Sequence, residues 1–205
     1  YSATRAAERE ALWAEIDAQW HQRPMTSFAF MGALCRALPP DAAVVEEAVT
    51  THHGLLERLA VLKDPTALFA HRGWALGWGL GCAMGVKLAW PERPVLAIVG
   101  DGAALYGIQG LWTAAHHHIP VAFVIANNAQ YKILKLSGDV MQLPQMLQRK
   151  YVAMDLTDPE VDFVGLARAF GVESHRVTEP EELSERVCES FSRSEPILLV
   201  VAIER

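Results

Sequence analysis

The sequence predicts an α/β fold: a doubly wound, mostly parallel sheet with helices on both faces. Three observations point there. The stretches PVLAIVG (94–100), PVAFVIAN (120–127) and PILLVVAI (196–203) are continuous apolar runs, as strands covered on both faces require. Segments of helical period lie between them, in the alternation that builds parallel sheets. Gly and Pro punctuate the joints.

Taken in order, residues 4–20 carry Leu12, Ile16 and Trp20 four apart, one apolar stripe on an otherwise exposed helix. This segment reads as a connector, and residues 1–25 are expected to be a helical linker from a preceding domain, with one domain over 26–205. Pro24 breaks the linker, and SFAFMGALCRALPP (27–40) is a second amphipathic helix stopped by Pro39-Pro40. AAVVEEA (42–48) is a short apolar strand, and ALGWGLGCAMGVKLA (75–89) a helix of small residues. After PVLAIVG comes the helix ALYGIQGLWTAAHHH (104–118), then the strand PVAFVIAN. DFVGLARAFG (162–171) is a helix ended by Gly171, VESHRV (172–177) a short strand, and EPEELSERVCESFSR (179–193) the helix before the last buried strand.

With 205 residues, 51% of them hydrophobic, the chain can form one sizeable core but not two full domains. Its net charge is −6 with no basic run, so it lacks the electrostatic footprint of a nucleic-acid binder. Cys35, Cys82 and Cys188 are odd in number and lie in apolar segments, which reads as buried thiols in a reducing compartment, the cytoplasm by default. No apolar run reaches the roughly 18 residues of a membrane span. The first residue is Tyr, so the chain is expected to begin inside a longer open reading frame.

Two polar interruptions carry the chemistry. Gly100-Asp101-Gly102 closes one buried strand and Asn127-Asn128 closes the next. In open parallel sheets ligands bind beyond the carboxyl ends of the strands. If the two strands are neighbours, the Asp101 carboxylate and an Asn amide oxygen enter one crevice. With a backbone carbonyl two residues on, they make a hard-oxygen set suited to Mg²⁺ carrying phosphate oxygens. Gly102 permits close backbone approach, and a helix starting near Ala103 would aim N–H groups at an anion.

Gly-Asp-Gly, 24 intervening residues and then Asn-Asn resembles the binding signature of thiamine diphosphate enzymes. The flanking LWTAA, IP, FVI and Tyr131 are similar to the benzoylformate decarboxylase branch, close to the acetolactate synthase group. The resemblance runs from about residue 27 to the C-terminus and implies the diphosphate-binding domain of these enzymes. It implies Asp101, the Asn128 side chain and the Gln130 carbonyl as Mg²⁺ ligands. Gly100, Gly102, Ala103, Ala104 and Asn128 would surround the diphosphate, with Tyr131 against it and Thr50 and Thr51 near the terminal phosphate. Leu76, in WALGWGLG, falls where the family has the apolar wedge that bends the cofactor, and the Trp74 carbonyl would accept a bond from its aminopyrimidine. Two residues depart from the pattern: Gly81 stands where Pro is usual, and Lys132 where Gly often follows the Tyr.

The implied activity is decarboxylation of a 2-oxo acid, or carboligation, with the cofactor as electron sink. The family's pyrimidine-binding domain, with its Glu, lies outside these residues. The chain alone is therefore expected to be inactive, and to need that domain from the same longer chain or another subunit, within a homo-oligomer, a dimer or tetramer. An acetolactate synthase-type carboligase and a noncatalytic binding module are the alternatives. Blander readings stand beside the sharp ones: Asp101 as a helix cap, His116-His117-His118 as a solvated helix end, and Asp155, Asp158 and Asp162 as a polar capping loop.

Overall fold

The structure is a computed structural model that describes residues 2–70, 73 and 75–205. Six strands form one sheet: β1 (Ala43–Glu47), β2 (Leu68–Ala70), β3 (Val95–Gly100), β4 (Ala122–Asn127), β5 (Glu173–Val177) and β6 (Ile197–Ala202). Their order is β2-β1-β3-β4-β6-β5, and every pairing is parallel. Among the described residues, ten α-helices connect or flank them: α1 (Ser2–Gln19), α2 (Ser27–Ala37), α3 (Leu55–Arg58), α4 (Trp78–Ala89), α5 (Asp101–Ala104), α6 (Gly110–His116), α7 (Lys132–Val140), α8 (Pro144–Leu147), α9 (Phe163–Ala169) and α10 (Pro180–Ser190). No helix among the described residues is long and apolar enough to cross a membrane.

Alternate residues of each buried strand feed opposite faces, which is why the apolar runs are unbroken. Val44, Leu96, Ile98, Val124 and Leu199 join the core with α1, α2 and α10. Val45, Ala97, Val99, Phe123, Ile125 and Leu198 join the core with α4, α6 and α9. The predicted doubly wound α/β architecture, with helices on both faces of a parallel sheet, is therefore present.

Local chemistry sets the helix limits. Thr26 accepts from the Ala29 N–H at 3.1 Å to start α2. Asp162 caps α9 by accepting from the Gly165 N–H at 2.9 Å. Gly171, at φ +82°, closes that helix in the left-handed conformation. The apolar stripe of α1 packs on α2: Leu12, Ile16 and Trp20 are all buried there, and Gly32 leaves room for Ile16.

Three expectations need correction. In the segment 104–118 the helix is confined to α6, after a turn that separates it from α5, because Gly107 abuts the Gly77 carbonyl and the chain turns there. The 75–89 helix starts at Trp78, since Gly77 sits at φ +94°. Only Cys35 is a buried thiol, pushed up to about 12 by burial and then by Glu57. Cys82 is half-buried and Cys188 exposed on the outer side of α10.

Candidate functional site

The site follows from the strand order. β1 connects outward to β2, whereas β3 returns to the other side of β1, so the winding reverses between β1 and β3. A crevice opens at such a switch point beyond the carboxyl ends of the strands. Register lines up the residues there: Glu47 stands opposite Val99, and Gly100 opposite Ala126. The ends of β1, β3 and β4 thus deliver Glu47, Gly100-Asp101 and Asn127-Asn128 side by side.

Asp101 is 3% exposed. Its Oδ1 accepts from the Gly102 N–H at 2.8 Å, while its Oδ2 is buried and has no hydrogen-bond partner among the described residues. Burial pushes the carboxyl up to about 6, against the opposing pull of N–H groups of Gly102, Ala129, Gln130 and Asn128. A carboxylate so placed is costly unless a cation or proton meets it. The loop after β4 is folded by its own side chains: Asn127 Oδ1 accepts from Ala129 N–H at 3.0 Å, and Asn128 Oδ1 from Gln130 N–H at 3.1 Å. These turns let Ala129 adopt φ +54°.

Segment 154–156 steadies this loop from outside. Tyr131 N–H donates to the Met154 carbonyl at 2.8 Å, and Leu156 N–H to the Ala129 carbonyl at 2.9 Å. Gln130 pairs with Asp155 between these two bonds. In such a pair the residue's own carbonyl points away from its partner strand. The Gln130 side chain is engaged elsewhere, accepting from Lys135 Nζ at 2.7 Å. Lys135 also donates to Asp155 at 2.7 Å. The donor set of Asp101, Asn128 and Gln130 is all oxygen, and with an orphaned buried carboxylate oxygen it fits a hard divalent cation such as Mg²⁺.

The remaining predicted residues are placed as follows. Thr50, Thr51, Leu76, Gly100, Gly102, Ala103 and Tyr131 line the same crevice, with Lys132 and Ile133. Thr51 is buried, its N–H bonded to the Ala48 carbonyl at 2.8 Å. The Tyr131 ring lies against Gly102, where an added Cβ would stand 2.6 Å from the ring. Burial and Tyr106 raise the Tyr131 phenol above its ordinary value. Ala104 contributes its methyl to the core beneath the crevice. Trp74 lies outside the described residues.

The other candidates do not line this crevice. His116 stacks on Trp112, and His118 meets Glu195 at 2.7 Å. Asp155 pairs with Lys135 and Arg205, and Asp162 caps α9. No group of three or more His, Cys, Asp or Glu among the described residues could hold a metal by itself. Sequence reasoning missed Glu47, which lines the crevice. Its signal was present: an acid at the end of an apolar strand, where burial demands a partner.

Comparisons with known proteins agree with this geometry. The family described as "Thiamine pyrophosphate enzyme, C-terminal TPP binding domain" matches residues 48–201. A benzoylformate decarboxylase of Pseudomonas aeruginosa is 35% identical over 179 residues, which are 87% of this chain and 32% of that protein. An acetolactate synthase large subunit of Parasynechococcus marenigrum is 31% identical across 100% of this chain and 34% of that protein. Among solved structures, a thiamine diphosphate-dependent 4-hydroxybenzoylformate decarboxylase of Rhodococcus jostii superposes with a TM-score of 0.78 at 27% identity, covering 89% of this chain and 33% of that one. The chain spans about a third of the length of the curated relatives it matches. With a crevice built at the switch point of the sheet and a family match across most of its residues, this chain belongs to the thiamine pyrophosphate enzymes, as their C-terminal TPP-binding domain.

Proposed function

We propose that this chain is the diphosphate- and Mg²⁺-binding part of a 2-oxo acid decarboxylase or carboligase of the benzoylformate decarboxylase kind. One observation carries the reading: the buried Asp101 Oδ2, without a partner among the described residues, beside the Asn128–Gln130 loop. Asp101, the Asn128 side-chain oxygen and the Gln130 carbonyl would hold Mg²⁺. Backbone N–H groups from Gly100 to Ala104, with the Thr50 and Thr51 hydroxyls, would hold the diphosphate, and Tyr131 would close over it. When bound, thiamine diphosphate supplies an electron sink for the electrons left as a 2-oxo acid loses CO₂. Leu76 projects into the crevice at 38% exposure and would press on the cofactor between its rings. The Trp74 carbonyl would orient the aminopyrimidine, and Lys132 would face a phosphate or the substrate carboxylate.

Calorimetry tests the reading. Mg²⁺-dependent binding of thiamine diphosphate is expected, weakened at least roughly tenfold in Asp101→Ala. Equal binding by wild type and variant would refute it. The pyrimidine-binding domain is supplied by the same longer chain or by another subunit, residues 1–25 lead from a preceding domain, and residues 26–205 are the cofactor domain. Exposed Tyr106 and Trp112, at 60% and 54%, support a homo-oligomeric interface on that face. The cytoplasm is the proposed compartment.

The similarity to acetolactate synthase large subunits supports a second reading, carboligation of two 2-oxo acids. Product analysis with pyruvate and with benzoylformate separates the two.

A further inference from the structure

Glu47, the last residue of β1, is 1% exposed, so its carboxylate is stable only if its oxygens find donors. They find them on another element. Oε1 accepts from the Gly77 N–H at 2.7 Å and Oε2 from the Gly79 N–H at 2.8 Å. These two amides bracket the start of α4, whose own N-cap, Gly77, has no side chain to serve. A negative charge at a helix N-terminus is further favoured by the helix dipole. Glu47 therefore caps α4 from the neighbouring strand, across the switch point of the sheet.

The Gly77 N–H belongs to the peptide plane that it shares with Leu76, so fixing that amide fixes the direction in which the Leu76 side chain leaves the backbone. The peptide that follows Gly77 is held too. Gly77 adopts φ +94°, where an added Cβ would meet Tyr106 at 2.6 Å, and a Cβ on Gly107 would stand 2.5 Å from the Gly77 carbonyl. Leu76 is thus joined directly to a residue held on both of its peptides, and it lines the crevice with Asp101 and Asn128. Glu47 is also one strand from the diphosphate end, its backbone in register with Val99. Gly79 has to lack a side chain, because a Cβ there would stand 2.6 Å from Glu47 Oε2.

We propose that Glu47 is a positioning residue that sets how far Leu76 reaches into the crevice. It thereby shapes the part of the site that receives the cofactor rings, separately from the Asp101 grip on the diphosphate. This inference rests on the proposed function above. Gln is the informative replacement, since it has the same shape but one acceptor, and its NH₂ would face an N–H.

The test uses the 205-residue chain with Mg²⁺ and two probes, inorganic pyrophosphate and thiamine diphosphate. Glu47→Gln should leave the pyrophosphate Kd within about twofold and raise the thiamine diphosphate Kd roughly tenfold. Hydrogen exchange at the Gly77 and Gly79 amides should quicken roughly tenfold, while Val86 near the far end of α4 keeps its rate. Leu76→Ala should weaken thiamine diphosphate alone, and adding Glu47→Gln to it should cost little more, because the two act through one contact. Gly79→Ala disturbs the same pair without removing the charge and should reproduce the pattern if Glu47→Gln fails to fold. Equal weakening of both probes, or full additivity with Leu76→Ala, would overturn the positioning role and leave the function standing. A wild-type chain that binds neither probe with Mg²⁺ would overturn the function, and this inference with it.

Discussion

At the scale of single residues, Asp101 is where sequence and environment oppose each other. An ordinary Asp ionises near 3.9 when unfolded, whereas burial lifts this one to about 6 in the fold. Below pH 4 both states carry the proton and the raised value costs nothing. As pH rises from 4 to 6, the unfolded chain ionises first, so the metal-free fold loses on the order of 3 kcal/mol of stability. Urea denaturation in EDTA at pH 4.5 and pH 7 checks this: Asp101→Asn should remove that component of the pH dependence. Gly102 makes the second prediction at this scale. A methyl there would stand 2.6 Å from the Tyr131 ring, so Gly102→Ala should cost about 1–3 kcal/mol and weaken cofactor binding. Denaturation and calorimetry read the two effects. Asp101 and the Asn127-Asn128 pair were legible in the sequence as polar residues closing two buried strands. The Glu47 contacts were not, because they join positions thirty residues apart that only the sheet makes neighbours.

At the scale of elements, the buried strands were the clearest, because a run such as VLAIV has no polar face to leave outside. Helices bounded by capping residues were nearly as clear. Less visible was β2, three residues on the sheet edge, and so was the break between α5 and α6, where the sequence keeps a helical pattern but Gly107 meets Gly77. The stripe on α1 has a measurable consequence. Ile16 is fully buried against α2, so Ile16→Ala should lower stability by about 2–4 kcal/mol in urea denaturation. A loss under about 0.5 kcal/mol would mean that α1 is detached in solution. After the loop that follows β4, α7 exposes Leu134 and Leu136 at 49% and 47% and Val140 at 83%. That apolar surface continues from the crevice, where Ile133 is a wall.

For the whole molecule, the arrangement of strands makes the site. Because β1, β3 and β4 are adjacent and parallel, the ends of three separate chain segments meet with no loop needing to be long. Ligand linkage gives the test at this scale. With Mg²⁺ and thiamine diphosphate at a hundred times Kd, stability should rise by about 2.7 kcal/mol, or roughly 5–10 °C in Tm. Asp101→Ala at the same ligand concentration should rise by no more than about 1.4 kcal/mol, as thermal denaturation with and without ligand would reveal. Under the proposed function, turnover should be absent from these 205 residues by themselves and appear when a pyrimidine-binding domain is supplied. Robust decarboxylation by the isolated chain would reverse that expectation.

By itself, the sequence determined the five longer strands, that they are parallel and doubly covered, and that an acid and an amide stand at the ends of two of them. Those properties are local, written in runs of apolar side chains and in the residues that interrupt them. Only the tertiary structure decided that β1 lies beside β3, that Glu47 reaches the start of α4, and that one oxygen of Asp101 is left without a donor among the described residues. Such contacts depend on which strands pair and on how closely backbones approach at glycine, and neither is encoded by the neighbours of a residue in the chain.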